Sequence, residues 1–452
     1  MEEGDANGFS ITSCLRNTVA MFHWIEKEMS WRKEKGLPPG FDTLRATKPI
    51  VAVGAEEPLA DQMMLADYFH GTDGLGGIHS SHPHLTPEET WKDLFSSALK
   101  SPDQETAAAA QEAQQPNALF TPSTRPAHEE ILRILRENDP DTITIVAIGP
   151  LTNLALAAAA DTETFLRVKE VVVMGGTIEQ HGNVGQPTLS PPHQTIKEPP
   201  FRLIKAPDTK IRAELNIRNQ MTPVAEFNTY ADSIAAARIY ALTSPNPHTT
   251  MPPTPPTSPG KETADPPPPF LQPYPKNLSK QLKLTIFPLD ITNRHTLTRG
   301  TYTNFITPLL SISPPSPLAT WTHAFLSSTY TKITSLHTSR GDADSIGLEL
   351  HDPLCIWYVL LPDSPMWRFA ESVHGPVEDI RVETTGQWTR GMCVVDRRGR
   401  RRRRDDGIEG EVPGDTGNWL SGGAGNRVRR VVRTPGEDVF GAWMLGRIFG
   451  GS

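Results

Sequence analysis

TITIVAIGPLTNLALAAAA, residues 142–160, opens as one kind of secondary structure and closes as another. Ile143, Ile145, Val146 and Ile148 crowd a run too short for a core helix and rich in β-branched side chains, which pack well on a pleated surface. Gly149 and Pro150 break the run, and the alanine-rich stretch after Asn153 has the composition of a helix. VKEVVVMGG, residues 168–176, repeats the buried-strand pattern and ends in glycines. Strand, helix and strand at this spacing predict a βαβ unit. The expected fold is α/β, a largely parallel central sheet with helices on both faces, with ligands beyond the carboxyl ends of the strands.

Upstream, TSCLRNTVAMFHWIEKE (12–28) places Leu15, Val19, Phe22 and Ile25 at helical spacing, and PIVAVGAEEPL (49–59) reads as a strand and loop. Glycines cluster around His70 and Asp73 in DYFHGTDGLGG (67–77). RPAHEEILRILREN (125–138) is a helix with Pro126 near its start and Ile131, Leu132 and Leu135 on one face. Downstream come a helix in SIAAARIYAL (233–242), a strand in LTIFPLD (284–290) and a helix in PLATWTHAFLSSTY (317–330). VEDIRVETTG (377–386) and RGMCVVD (390–396) are expected to pair antiparallel near the sheet edge. Residues 101–120, 184–218 and 243–275 are polar, alanine-rich or proline-rich and are expected to be inserts outside the core.

The 52 Asp and Glu outnumber the 44 Lys and Arg, so bulk charge gives no case for a nucleic-acid binder. Seven arginines do fall within residues 397–404, but Asp396, Asp405 and Asp406 flank them, and a solvated hairpin loop is favoured over a nuclear-import or phosphate-binding signal. Cys14, Cys355 and Cys393 are the three cysteines, odd in number and far apart, and predict neither a disulfide framework nor a thiolate zinc site. No basic stretch leads into an apolar core at the start, and no apolar run reaches about 18 residues. A cytoplasmic protein without a membrane segment is expected.

LELHDPLCIWYVL (348–360) puts His351 and Asp352 at the mouth of an apolar run. Asp352 is expected either to cap a helix opening at Pro353 or to bind a metal beside an acid catalyst at the sheet rim, and one geometry can serve both. Thr152 and Asn153 in GPLTN are candidate helix caps. In AEFN (225–228), Glu226 and Asn228 share one face if the stretch is extended, which suits a pocket for hydroxyl groups as well as a solvated surface. The similar AELN at 213–216 lies too close to mark an architectural repeat.

AIGPLTNLALAA, VVVMGG, TPVAEFNTYAD, FPLDIT and LHDPLC, in this order, closely resemble the inosine-uridine-preferring nucleoside hydrolase family, its fungal members above all. HGTDGLGG before them and VETTGQWTRGM after them extend the resemblance. It implies an α/β enzyme that cleaves the N-glycosidic bond of purine or pyrimidine ribonucleosides, with a calcium ion holding the ribose hydroxyls and a water. Carried onto this chain, it makes Asp352 a calcium ligand and His351 the neighbour that assists the leaving group. Glu226 and Asn228 become ribose contacts, with Asn219 or Asn183 as an additional one. Ile148 offers its backbone carbonyl to calcium, and His70 lines the pocket rim near the base.

Members of that family begin with a strand and an aspartate cluster, D-x-D-P-G-x-D-D, that supplies most of the metal's charge and the catalytic base. No such stretch occurs in these 452 residues, and Asn7 aligns with a position after it. The expectation is a single domain over 1–452, incomplete at its start and with a strand missing from the sheet. Calcium binding is then weak, since the ion takes about six to eight oxygens. A catalytically silent sugar-binding or partner-binding protein is the competing expectation. Ribonucleosides are the expected partners, membranes and nucleic acids are not, and a homo-oligomer is compatible with the sequence.

Overall fold

In the computed structural model, the described residues are 11–61, 73–87, 94–95, 119–183, 224–253, 269–336, 343–372, 375–398 and 414–450. Their strands are β1 (Ile50–Val53), β2 (Thr121–Pro126), β3 (Thr144–Ala147), β4 (Glu170–Met174), β5 (Leu284–Phe287), β6 (Thr296–Thr298), β7 (Gly347–Glu349), β8 (Arg368–Phe369), β9 (Ile380–Val382), β10 (Cys393–Val395) and β11 (Arg429–Arg433). The main sheet runs β3-β4-β5-β11-β8, parallel throughout except for the antiparallel edge strand β8. β9 and β10 form the antiparallel pair expected of the tail, with Cys393 opposite Val382 and Val395 opposite Ile380.

All five residues of β4 are buried, which only a strand covered on both faces allows. Val172 and Met174 join one hydrophobic cluster with Trp321, Leu354, Trp357 and Phe440. Val171 and Val173 join another with Leu132, Leu154, Ala155, Ile234 and Tyr240. The period-two alternation of a strand thus delivers successive valines to two cores. Helices Pro317–Leu336, His351–Leu360 and Phe440–Phe449 supply the first, and Ala127–Glu137, Thr152–Ala160 and Ser233–Ala241 the second.

β3 is half-buried along its whole length and, among the described strands, pairs only with β4. β1 and β2 make a separate parallel pair, tied to the βαβ unit by the Ala55 N–H, which donates to Asn153 Oδ1 at 2.8 Å. The helix expected over 12–28 spans Ile11–Glu34. Its Glu28 is buried and accepts from Arg32 Nε at 2.9 Å, Ser316 Oγ at 2.6 Å and the Leu318 N–H at 3.2 Å. That carboxylate satisfies donors at the start of helix Pro317–Leu336, which otherwise lack intrahelical partners. No helix among the described residues is long and apolar enough to cross a membrane.

The flanks of the proline-rich stretch differ from the sequence expectation. Thr243, Ser244 and Tyr274 are buried, and Met251, Phe270 and Leu271 pack against the second core. Buried Arg238 donates to the Leu271 and Gln272 carbonyls and stacks on Tyr274, so the chain is fastened before and after residues 254–268. The apolar residues that punctuate the prolines carry this anchoring. Residues 101–118, 184–218 and 254–268 lie outside the described residues.

His79 supplies a pH signature. It is buried between Asn17 Oδ1 at 2.7 Å and Thr86 Oγ1 at 3.0 Å, and burial, with Arg16 nearby, pushes its pKa down to about 4. The unfolded chain takes up a proton near pH ~6.5 that the folded chain refuses, so stability should fall as pH drops from there toward 4. Melting curves across that window should show a shallower acid limb in His79→Gln than in the parent protein, whereas parallel limbs would remove His79 as the cause.

Candidate active site

The carboxyl ends of β4 and β5 converge on a turn built by carboxylates. Gly176, directly after β4, has a φ of +82°, and a Cβ there would lie 2.7 Å from Cys393 Sγ, so glycine is required. Its N–H donates to Glu226 Oε2 at 2.9 Å. Two residues later the Ile178 N–H donates to Asp290 Oδ2 at 2.8 Å, and the Glu179 N–H reaches the other oxygen. Asp290 comes from the turn after β5, so the two strand ends are clamped to each other.

AEFN is not extended. Glu226 caps the short helix Phe227–Ala231, accepting from the Asn228 N–H on Oε1 at 2.7 Å and from the Thr229 N–H and hydroxyl on Oε2 at 3.0 Å each. Orphan amides at a helix start are a stronger demand than strand alternation, and the acid before Phe227 meets it. Glu226 is 1% exposed, and burial raises its pKa even against four donors. Asn228 Nδ2 donates to the Met174 carbonyl at 3.1 Å, which pins that side chain to the end of β4. Asn183 Oδ1 accepts from the Phe227 N–H at 2.8 Å, making it a support of this helix.

Helix His351–Leu360 starts two residues earlier than expected, with Leu350 at the N-cap position and no side-chain cap. Asp352 therefore stands in the first turn, where its charge complements the helix dipole, and does not cap. It is half-buried, with no hydrogen bond or ion pair to any described residue. Burial, and then the charge of Glu226, pushes its pKa up to about 6. Two acids remote in sequence are thus brought within electrostatic reach at the sheet end. His351 Nδ1 meets Thr292 Oγ1 at 2.8 Å.

Thr152 and Asn153 are also joists and not caps. Thr152 Oγ1 donates to Asp232 Oδ2 at 2.7 Å, and the same oxygen accepts the Leu59 N–H at 2.9 Å, while Oδ1 caps helix Ser233–Ala241 through the Ala235 N–H at 2.9 Å. Asp61 accepts from the Ser233 N–H at 2.7 Å and pairs with Arg390 at 2.7 Å, whose guanidinium lies 3.8 Å from the centroid of the Tyr230 ring. The β9–β10 hairpin is thereby bolted to the helix carrying Asn228. Asp232, Thr292, Asp61 and Arg390 had no role from sequence, although Asp232, Thr292 and Arg390 lie inside the recognised stretches.

Ile148 directly follows β3, its side chain 48% exposed. His70, Asn219 and Asn7 lie outside the described residues, as does most of the arginine run. Arg397 donates to the Ile178 carbonyl and pairs with Glu179 at 3.3 Å, and Arg398 pairs with Asp396 at 2.7 Å. Among the described residues no three His, Cys, Asp or Glu gather in a way that could hold a metal. Asp352 and the Ile148 carbonyl fall short of a calcium shell of about six to eight oxygens. The described donor set does not fit the ion.

Residues 41–413 match the family model described as inosine-uridine preferring nucleoside hydrolase. An uncharacterised protein of Schizosaccharomyces pombe is 25% identical over 285 residues, 62% of this chain and 61% of that protein. Uridine nucleosidase 1 of Arabidopsis thaliana is 32% identical over 135 residues, 30% of each. The chain thus spans 61% and 30% of the length of these two relatives. The structure of the plant nucleoside hydrolase PpNRh1 superimposes with a TM-score of 0.53 at 16% identity, covering 97% of this chain and 87% of that one, a likeness of fold.

Proposed function

The chain belongs to the inosine-uridine preferring nucleoside hydrolase family, and on that premise we propose that its reaction is hydrolysis of the N-glycosidic bond of purine or pyrimidine ribonucleosides, giving ribose and free base. The observation that carries this is the gathering of Glu226, Asn228, His351 and Asp352 around the carboxyl ends of β4 and β5, where a parallel sheet presents its ligands. Glu226 Oε2 is taken by three donors and Oε1 by one, so Oε1 keeps capacity for a sugar hydroxyl. Asp352 places an unpaired negative charge where the ribosyl ring gains positive charge as the bond to the base breaks. On this reading His351 is the residue that assists the departing base. The three free cysteines suit a reducing, cytoplasmic setting.

Calcium dependence is typical of the family. An ion at this site would orient sugar and water, but the 452 residues contain no D-x-D-P-G-x-D-D stretch to complete its shell or to serve as base. A second reading, a sugar-binding protein without turnover, is favoured by that composition. Release of ribose from inosine and uridine, with calcium titrated by calorimetry, decides between them. The 452-residue chain should bind calcium weakly and release negligible ribose, and addition of an upstream aspartate stretch should bring activity. Tight calcium binding with robust hydrolysis by these residues alone would defeat the need for a further carboxylate set, and silence after its addition would defeat the hydrolase reading.

A further inference from the structure

FPLDIT holds a residue whose chemistry the sugar site does not use. Thr292 is fully buried in the turn after β5, and its hydroxyl meets His351 Nδ1 at 2.8 Å. Although buried Thr152 and Thr229 donate to carboxylates, the half-buried helical threonines Thr329 and Thr334 return their hydroxyl proton to the carbonyl four residues back, on Phe325 and Tyr330. Thr292 does not. The carbonyl four residues before it, on Pro288, accepts the Ile291 and Thr292 backbone N–H groups, and among the described residues the hydroxyl has no partner besides His351. A buried hydroxyl proton without an acceptor is costly, so Thr292 must donate and Nδ1 must accept. Nδ1 then carries no proton, and the ring's proton sits on Nε2.

We propose that Thr292 is a positioning residue that fixes His351 as its Nε2–H tautomer, so that the imidazole serves the leaving base as a neutral hydrogen-bond donor. The proposal rests on the hydrolase reading for its purpose, but not for its geometry. When the bond between the sugar carbon and the base nitrogen breaks, the electron pair stays on the base, and Nε2–H stabilises that developing charge. His351 keeps its proton, and the base is protonated by water. Thr292 touches no substrate; it acts by setting which ring nitrogen can donate.

Nitrogen-15 spectra of the full chain labelled at histidine, with His351 assigned by its loss in His351→Gln, read the tautomer without any activity. The expected spectrum has an unprotonated Nδ1 and a protonated Nε2, retained in Thr292→Ser and lost to a tautomer mixture in Thr292→Val. A protonated Nδ1 in the parent protein, or an unchanged tautomer in Thr292→Val, overturns the proposal; the parent spectrum alone decides if Thr292→Val does not fold. In a form carrying an added family-type aspartate stretch, Thr292→Val should lower kcat on inosine by about 10-fold with little change in KM. A riboside with a p-nitrophenolate leaving group, which departs without such help, should be cleaved at the parent rate. Equal slowing on both substrates also overturns the proposal. Absence of turnover on both by the parent counts against the hydrolase reading and leaves the tautomer to the spectra.

Discussion

Asp352→Asn should make the metal-free protein more stable at pH 7 and any active form less able to turn over nucleosides. The folded state holds the Asp352 proton up to about pH 6, well above an unfolded carboxyl at about 3.9. Between those values the folded chain binds more protons than the unfolded one, so stability declines as pH rises through the window, and at pH 7 the ionised group still burdens the fold. A neutral amide of the same shape removes that burden. Full conversion of the shift gives about 3 kcal/mol, and relaxation and water reduce it to roughly 1–2 kcal/mol, or about 1–2 °C for a chain of this size. Calorimetry in chelator should show the gain at pH 7 and its disappearance by pH 4. Loss of the unpaired charge should meanwhile lower kcat/KM by about 100-fold in a turning-over form. A variant less stable than the parent at pH 7 would show that Asp352 is paired after all.

Asp232→Ala should be the most damaging single change outside the hydrophobic cores. Asp232 is fully buried and accepts from Leu59, Thr152 and Ala235, which belong to the loop after β1, the helix after β3 and the helix after AEFN. Truncation strands these donors in the interior, each at about 1–3 kcal/mol, and opens a cavity, for an expected loss of about 3–5 kcal/mol. Asp232→Asn keeps one acceptor oxygen and should lose about half as much. Urea unfolding monitored by tryptophan fluorescence measures both. A loss below about 1 kcal/mol in the alanine variant would mean that water replaces the carboxylate and that the three elements are held by packing alone.

The sequence by itself determined the elements whose cause is local. β3, helix Thr152–Ala160 and β4 follow from β-branched runs, a Gly-Pro break and alanine-rich composition, and the full burial of β4 follows from an apolar run without polar alternation. The order of the motifs, each a few residues long, carried the family and brought Glu226, Asn228, His351 and Asp352 to attention. What those side chains do was decided by contacts between distant segments, which periodicity cannot register. Glu226 turned out to cap a helix through the Asn228 and Thr229 amides while also holding the Gly176 N–H after β4, and Asp352 lost its expected cap because the helix begins at His351. Thr152 pairs with Asp232, and Thr292 with His351, across long stretches of chain. Hydrogen bonds of this kind depend on where a side chain's donor or acceptor lands in space, and only the packed sheet and its helices fix that position.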